Sequence, residues 1–229
     1  MRRSRGCLIV FEGPDGCGKS TQAEMLARHL RKRHIRMVHT REPGGTVLAE
    51  GIRNILLDSR SQITPLSELL LYESARAQHT EEKILPALER GKVVISERYT
   101  LASLAYQGYG RGIPLSSVRT LNRIATAGLQ PDLIVLLDLS PKQGLLRARR
   151  RRVLGRSPTV PAALRKCVGR RRKLDRLERE ALAFHKRVRQ GYLALAGKNP
   201  SKIRVIDASL SPSQVHQQVI QILEKEKLL

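Results

Sequence analysis

The chain has 229 residues, 41% hydrophobic but only 3% aromatic, and a formal net charge of +23. That length fits one domain with a full core, which a chain so poor in rings must build from Leu, Ile, Val and Ala. No apolar run approaches the roughly 18 residues of a membrane span, and Met1-Arg2-Arg3-Ser4-Arg5 is not followed by the apolar stretch of a secretory signal. The cysteines Cys7, Cys17 and Cys167 lie far apart with no metal spacing, which suits a reducing compartment. These features predict a cytosolic chain.

Gly6 to Phe11 reads as a buried strand, and Ala23, Leu26, Ala27 and Leu30 then recur at helical spacing. Arg36 to Thr40 is a second strand, followed by the breaker-rich Arg41-Glu42-Pro43-Gly44-Gly45. Helical spacing resumes at Leu48, Ile52, Ile55 and Leu56, again after Pro65, and continues to Arg90 before stopping at Gly91. Lys92 to Ser96 and Asp132 to Asp138 are the third and fourth strands. Ser140-Pro141-Lys142-Gln143 and Ser211-Pro212-Ser213-Gln214 have the form of capping boxes with proline in the first turn, and Ile203 to Asp207 is a fifth strand between them. Short Val/Ile/Leu runs alternating with helices predict an α/β fold, a five-stranded parallel sheet covered on both faces by helices. Such sheets bind ligands at the carboxyl ends of their strands, so Glu12 to Ser20, Arg41-Glu42, Glu97-Arg98 and Asp138 become the residues of interest. No linker or repeat divides residues 1–229, which read as a single domain.

The strongest local signal is Gly13-Pro14-Asp15-Gly16-Cys17-Gly18-Lys19-Ser20, with Thr21 following. It satisfies G-x-x-x-x-G-K-[ST] between a strand and a helix, the context that gives this pattern meaning. Converging backbone N–H groups and the helix N-terminus would hold the phosphates of ATP, Lys19 would reach the outer ones, and Ser20 would bind Mg²⁺. A second signal is electrostatic. From Arg147 to Arg176 there are thirteen Lys or Arg against Asp175 alone, a net +12, so over half the chain's excess charge sits in thirty residues.

In this order the motifs resemble the thymidylate kinases, P-loop enzymes that move a phosphoryl group from ATP to dTMP. The resemblance rests on Phe11-Glu12-Gly13-Pro14-Asp15-Gly16, Thr40-Arg41-Glu42-Pro43-Gly44-Gly45-Thr46, Arg76-Ala77-Gln78-His79 and Ala105-Tyr106-Gln107-Gly108-Tyr109-Gly110-Arg111-Gly112. Gly128 to Leu133 and Val188 to Leu193 add to it. It implies a Mg²⁺-dependent dTMP kinase that works as a homodimer without a membrane partner. Lys19 and the loop would bind ATP, while Asp15 would lie near the sugar and the acceptor phosphate. Arg41 and Arg98 would grip that phosphate. Glu97 stands where the family usually has Asp and becomes a magnesium residue or a neighbour of one, with Glu178 a further metal candidate.

The base would meet Tyr72, where the family usually carries Phe, together with Arg76, Ser103 and Gln107. Tyr106 would pack against the sugar 2′ position and exclude ribonucleotides. Because the P-loop has Gly16 where another branch of the family has arginine, a lid spanning about 147–176 should supply the arginines; Arg147, Arg149 and Arg151 are the candidates. Val153 to Lys173 reads as an insertion in that lid. It could be a solvated extension, a contact with nucleic acid or another anionic surface, or a contributor to ATP capture. It lacks the aromatic residues of a single-strand stacking platform. Two other functions stay open: a related nucleotide kinase of different base choice, and a basic P-loop protein that binds nucleic acid with weak or no transfer.

Overall fold

The computed structural model describes residues 6–153 and 175–228, without the side chains of 151–153. Five strands, β1 (Leu8–Glu12), β2 (Met37–Arg41), β3 (Val93–Glu97), β4 (Leu133–Asp138) and β5 (Ile203–Asp207), form one parallel sheet in the order β2-β3-β1-β4-β5. β1 is central, flanked by β3 and β4. The elements follow one another as the hydrophobic periodicity predicts. The strand ends do not. β1, β2 and β3 each run one residue further, so Glu12, Arg41 and Glu97 are the last residues of their strands rather than loop residues. The reason is the ladder: Phe11 and Arg41 both pair with Glu97 in register, and the Arg98 N–H donates to the Phe11 carbonyl at 2.9 Å. Polar side chains on strand ends are therefore fixed by the sheet itself.

Helices α1 (Lys19–Lys32) and α9 (Pro212–Lys225) cover one face. There Ala23, Leu26 and Leu30 of α1 and Val215, Val219 and Leu223 of α9 pack on Ile9, Phe11, Ile95, Val135 and Leu137. The opposite face buries Leu8, Val10, Val94, Ile134 and Leu136 beneath α3 (Pro65–His79), α4 (Leu85–Glu89), α6 (Leu115–Ala125) and α8 (Leu182–Lys198). Alternate strand residues thus face opposite cores, as expected of a sheet covered on both sides. Helix α2 (Val47–Leu57) packs on α3 through Ala49, Ile52, Leu56 and Ala75, and α7 (Pro141–Val153) leads to the basic stretch.

Local chemistry explains several helix starts. Thr46 and Thr64 cap α2 and α3 through their hydroxyls, and Pro65 takes the first turn of α3. Ser211 and Gln214 form the reciprocal capping box that the sequence predicts. Two π-helical stretches were not legible in the periodicity. Thr80–Ile84 joins α3 to α4, and Leu104–Gly110 continues α5 (Thr100–Ser103). Among the described residues no helix is long and apolar enough to cross a membrane.

Candidate active site

The phosphate-binding loop leaves β1 and opens α1 at Gly18, which has φ 102° and offers no capping side chain. A helix start of this kind presents its first N–H groups outward. Lys19 Nζ folds over the loop and donates to the carbonyls of Gly13 (2.9 Å) and Pro14 (2.8 Å), with Cys17 Sγ at 3.6 Å. Cys17 is buried beneath the loop, so its role there is packing. Gly16 has φ 76°, and a Cβ on it would run into the Gly144 carbonyl at the root of α7; a Cβ on Gly144 would run into the Asp15 carbonyl. No side chain fits at position 16, so no arginine can stand there.

Ser20 Oγ donates to Glu97 Oε2, and His39 on β2 meets the other carboxylate oxygen at 3.0 Å. Burial would push the Glu97 carboxyl up, but the hydrogen bonds from His39 and Ser20 outweigh it and hold the group below the ordinary glutamate range. A serine hydroxyl beside an ionised carboxylate is a hard-oxygen pair that suits Mg²⁺, which binds through one or two such groups plus substrate phosphates. Among the described residues there is no cluster of three or more His, Cys, Asp or Glu side chains that could form a full metal cage. Glu178 lies in a turn before α8, its backbone N–H donating to the Asp175 carboxylate at 2.9 Å.

Asp15 and Arg98 meet beside the loop. Arg98 donates to Asp15 Oδ1 at 2.5 Å and to the hydroxyls of Tyr106 (3.0 Å) and Tyr192 (3.1 Å), and Tyr106 donates to Asp15 Oδ2 at 2.8 Å. The guanidinium also lies 4.7 Å over the Tyr106 ring. Burial opposes the charge on Asp15, yet Arg98 and Lys19 prevail and keep its carboxyl below the usual range. Arg98 has φ 73°, a region an arginine rarely adopts, so the sheet and this network together impose its position. Arg41, on the neighbouring strand, is half exposed and donates to Glu50 at 3.0 Å, while its Nε has no partner.

Arg76 differs from both. It is 2% exposed and donates to Glu42 (2.8 Å), Glu73 (2.6 Å), Ser103 (2.8 Å), Asn122 (2.7 Å) and the Tyr99 carbonyl (2.9 Å). Three of these acceptors, Glu73, Ser103 and Asn122, share the two hydrogens of Nη1, while Nε serves Glu42 and one N–H of Nη2 serves the Tyr99 carbonyl. Ser103 belongs to this shell and also donates to Glu73 at 2.8 Å. Gln107 donates to the buried Glu68 at 2.8 Å, as does Arg111 at 2.9 Å, with Arg176 paired to the same carboxylate at 2.5 Å. Tyr72, on α3, is half-buried and packs against both the core beneath that helix and the α2–α3 contact. Burial raises its hydroxyl, and Glu68, Arg98 and Asp15 are all close enough to influence it.

Of the lid candidates, Arg147 hydrogen-bonds the Ala208 carbonyl at 2.7 Å, and Arg149 is exposed on α7. The Arg151 side chain and residues 154–173 lie outside the described residues. Glu12 and Glu42 stood out by their place at strand ends but without a role, and Glu68, Glu73, Asn122 and Tyr192 were not singled out as site residues. The usable signal for the acids was their placement among apolar neighbours, as with Glu68 beside Leu66, Leu69 and Leu70.

A family model described as thymidylate kinase matches residues 11–159. Relatives bearing that name include one from Gloeobacter violaceus, 46% identical over 211 residues, covering 92% of this chain and 91% of the relative. Another, from a Geobacter species, is 48% identical over 205 residues, covering 89% and 85%. The crystal structure of thymidylate kinase from Ehrlichia chaffeensis matches with a TM-score of 0.71 at 32% identity, covering 95% of this chain and 98% of that one. Likeness in sequence, in fold and in the order of the motifs agrees: this chain belongs to the thymidylate kinase family.

Proposed function

We propose that the protein transfers the γ-phosphoryl group of ATP to dTMP with Mg²⁺, giving ADP and dTDP. The observation that carries this reading is the half-buried Asp15–Arg98 pair beside an intact phosphate loop in a chain of this family. A non-bridging oxygen of the dTMP phosphate attacks the γ-phosphorus, and the bond from that phosphorus to the β–γ bridging oxygen breaks. The acceptor is already an anion and needs no base, so the protein's work is positioning and neutralisation. Lys19 would release its loop carbonyls to meet the outer ATP phosphates. Arg98 and Arg41 would grip the acceptor phosphate, with Asp15 aiming Arg98. Ser20 and Glu97 would hold Mg²⁺, which would supply positive charge against the ATP phosphates.

Tyr72 would stack on the base and Tyr106 would close the 2′ side of the sugar. Arg76 would offer a thymine carbonyl the Nη2 N–H that the Tyr99 carbonyl does not use, with Ser103 and Gln107 lining the same wall. Arg147, Arg149 and Arg151 belong to the lid in this proposal.

A homodimer working in the cytosol is part of the same reading. Val47, Leu48 and Ile55 on α2, Leu66 and Leu70 on α3, and Ile124 on α6 are exposed apolar side chains. Those helices are neighbours, since α3 packs on both α2 and α6. That much apolar surface supports a protein partner, and a second copy is the partner we propose.

The test is coupled ADP release with ATP and Mg²⁺, offering dTMP, dUMP, dCMP, UMP and thymidine in parallel. The expected result is selective transfer to dTMP. Preference for another monophosphate would keep the phosphate chemistry and overturn the base pocket. ATP binding without transfer would favour a polynucleotide-binding role, to be checked by salt-dependent retention on DNA.

A further inference from the structure

Glu12, the last residue of β1, is fully buried. Its Oε1 accepts from the N–H groups of Tyr99 (2.8 Å) and Ala102 (3.2 Å), which fixes the chain just after Arg98 and the start of α5. Its Oε2 accepts from the Tyr192 hydroxyl on α8 at 2.9 Å. That hydroxyl has one hydrogen, and the hydrogen is spent on Glu12, so toward Arg98 Nη1 the oxygen acts only as an acceptor. Tyr192 is 1% exposed, and its ring sits edge-on to Tyr106 at 6.2 Å. One carboxylate therefore holds Arg98 from two directions, through the backbone that follows it and through a phenol against its guanidinium.

We propose that Tyr192, fixed by Glu12, is a positioning residue that aims Arg98 at the acceptor phosphate. The inference rests on the dTMP kinase reading above. Tyr192 holds Nη1 while Asp15 and Tyr106 hold Nη2, so the guanidinium plane is defined by contacts at both ends. A bidentate grip on phosphate depends on that plane. Without the hydroxyl, Glu12 loses a donor in a dry site, and Arg98 keeps partners at Nη2 alone. The guanidinium then pivots about Nη2, and the Glu12 oxygen draws Nη1 away from the acceptor. Cooperative strengthening along such a chain of buried hydrogen bonds makes the effect larger than one contact. Tyr192 would touch neither nucleotide. α8 is the first helix after the basic stretch, so the same hydroxyl also ties the acceptor grip to the element that follows the lid.

The test is calorimetric titration of dTMP and ATP into wild type, Tyr192→Phe, Arg98→Lys and the double variant. The fitted stoichiometry counts folded sites, so partial unfolding cannot pass for weaker binding. The expected result is a Kd for dTMP raised about tenfold in Tyr192→Phe, an unchanged Kd for ATP, and no further loss when the change is made in Arg98→Lys. Where Tyr192→Phe does not fold, Glu12→Gln is run through the same cycle with the same expected selectivity. Unchanged dTMP affinity overturns the inference. So does equal weakening of both nucleotides, or full additivity with Arg98→Lys, because either means general loosening. A wild-type protein that binds ATP but no dTMP would overturn the dTMP kinase reading, and this inference with it.

Discussion

Arg76 and Arg98 are both arginines held by carboxylates, but their surroundings differ. Arg76 is enclosed by Glu42, Glu73, Ser103, Asn122 and a carbonyl, with 2% of its side chain exposed. Arg98 has one carboxylate and two phenol oxygens, and 17% of its side chain remains exposed. A guanidinium paired with two buried carboxylates joins elements of the scaffold first, and among the described residues its partners leave it one N–H, on Nη2, for a ligand. A guanidinium that is aimed by weaker acceptors can exchange them for a stronger anion. Position on the fold does not separate the two uses, since both lie near the carboxyl ends of the strands. The shells separate them.

The largest effect should come from opening the closed shell. Arg76→Met leaves two carboxylates buried without their cation and should cost about 3–5 kcal/mol of stability, read from urea denaturation. A variant as stable as wild type that had lost only dTMP affinity would reverse the roles assigned to the two arginines. Arg98→Lys should change kcat/KM for dTMP most, by about 10²-fold, with a much smaller shift in the denaturation midpoint. Lysine keeps the charge but cannot span Asp15 and the two tyrosines. Equal losses of stability in Arg98→Lys and Arg76→Met would erase the contrast.

Acid sharpens it further. Burial pushes Glu42 and Glu68 up, but Arg76 with His79, and Arg111 with Gln107, hold them below the ordinary value. Stability from such depressed groups is full above about pH 4 and is lost as pH falls through their folded values. Burial raises Glu12 instead, so its contribution runs the other way and fades as pH rises through its higher value. Denaturation free energies at pH 7, 5 and 3 should therefore fall toward pH 3, and fall less in Arg76→Met, where Glu42 has lost its main partner. The smallest effect on stability belongs to Arg41→Ala. Arg41 and Glu50 are 41% and 42% exposed, so their pair contributes little and the change should stay within about 0.5 kcal/mol. The KM for dTMP should still rise about tenfold, measured by the coupled assay.

The sheet was legible because buried parallel strands are short, apolar and separated by helices long enough to cross over. The phosphate loop was legible because its chemistry demands glycine, lysine and serine at fixed spacing. Arg41, Arg98 and Asp15 stood out because each sits at the carboxyl end of a strand. Tyr192 and Asn122 did not, and Glu12 did so without its role, because their meaning lies in partners between 46 and 180 residues away, which no local pattern encodes. The π-helical turns were hidden for a related reason. One extra residue per turn shifts a hydrophobic stripe without erasing it, so Leu104 to Gly110 still looked like ordinary helix.

The backbone contact between Gly16 and Gly144 carries a consequence for inheritance. Gly16 is confined by the Gly144 carbonyl and Gly144 by the carbonyl of Asp15, the residue before Gly16, so neither position can acquire a side chain while the main chain opposite stays in place. A lineage that placed arginine in the loop would first have to shift the root of α7. The two positions, 128 residues apart by subtraction of their numbers, should therefore change together among descendants of this gene or not at all.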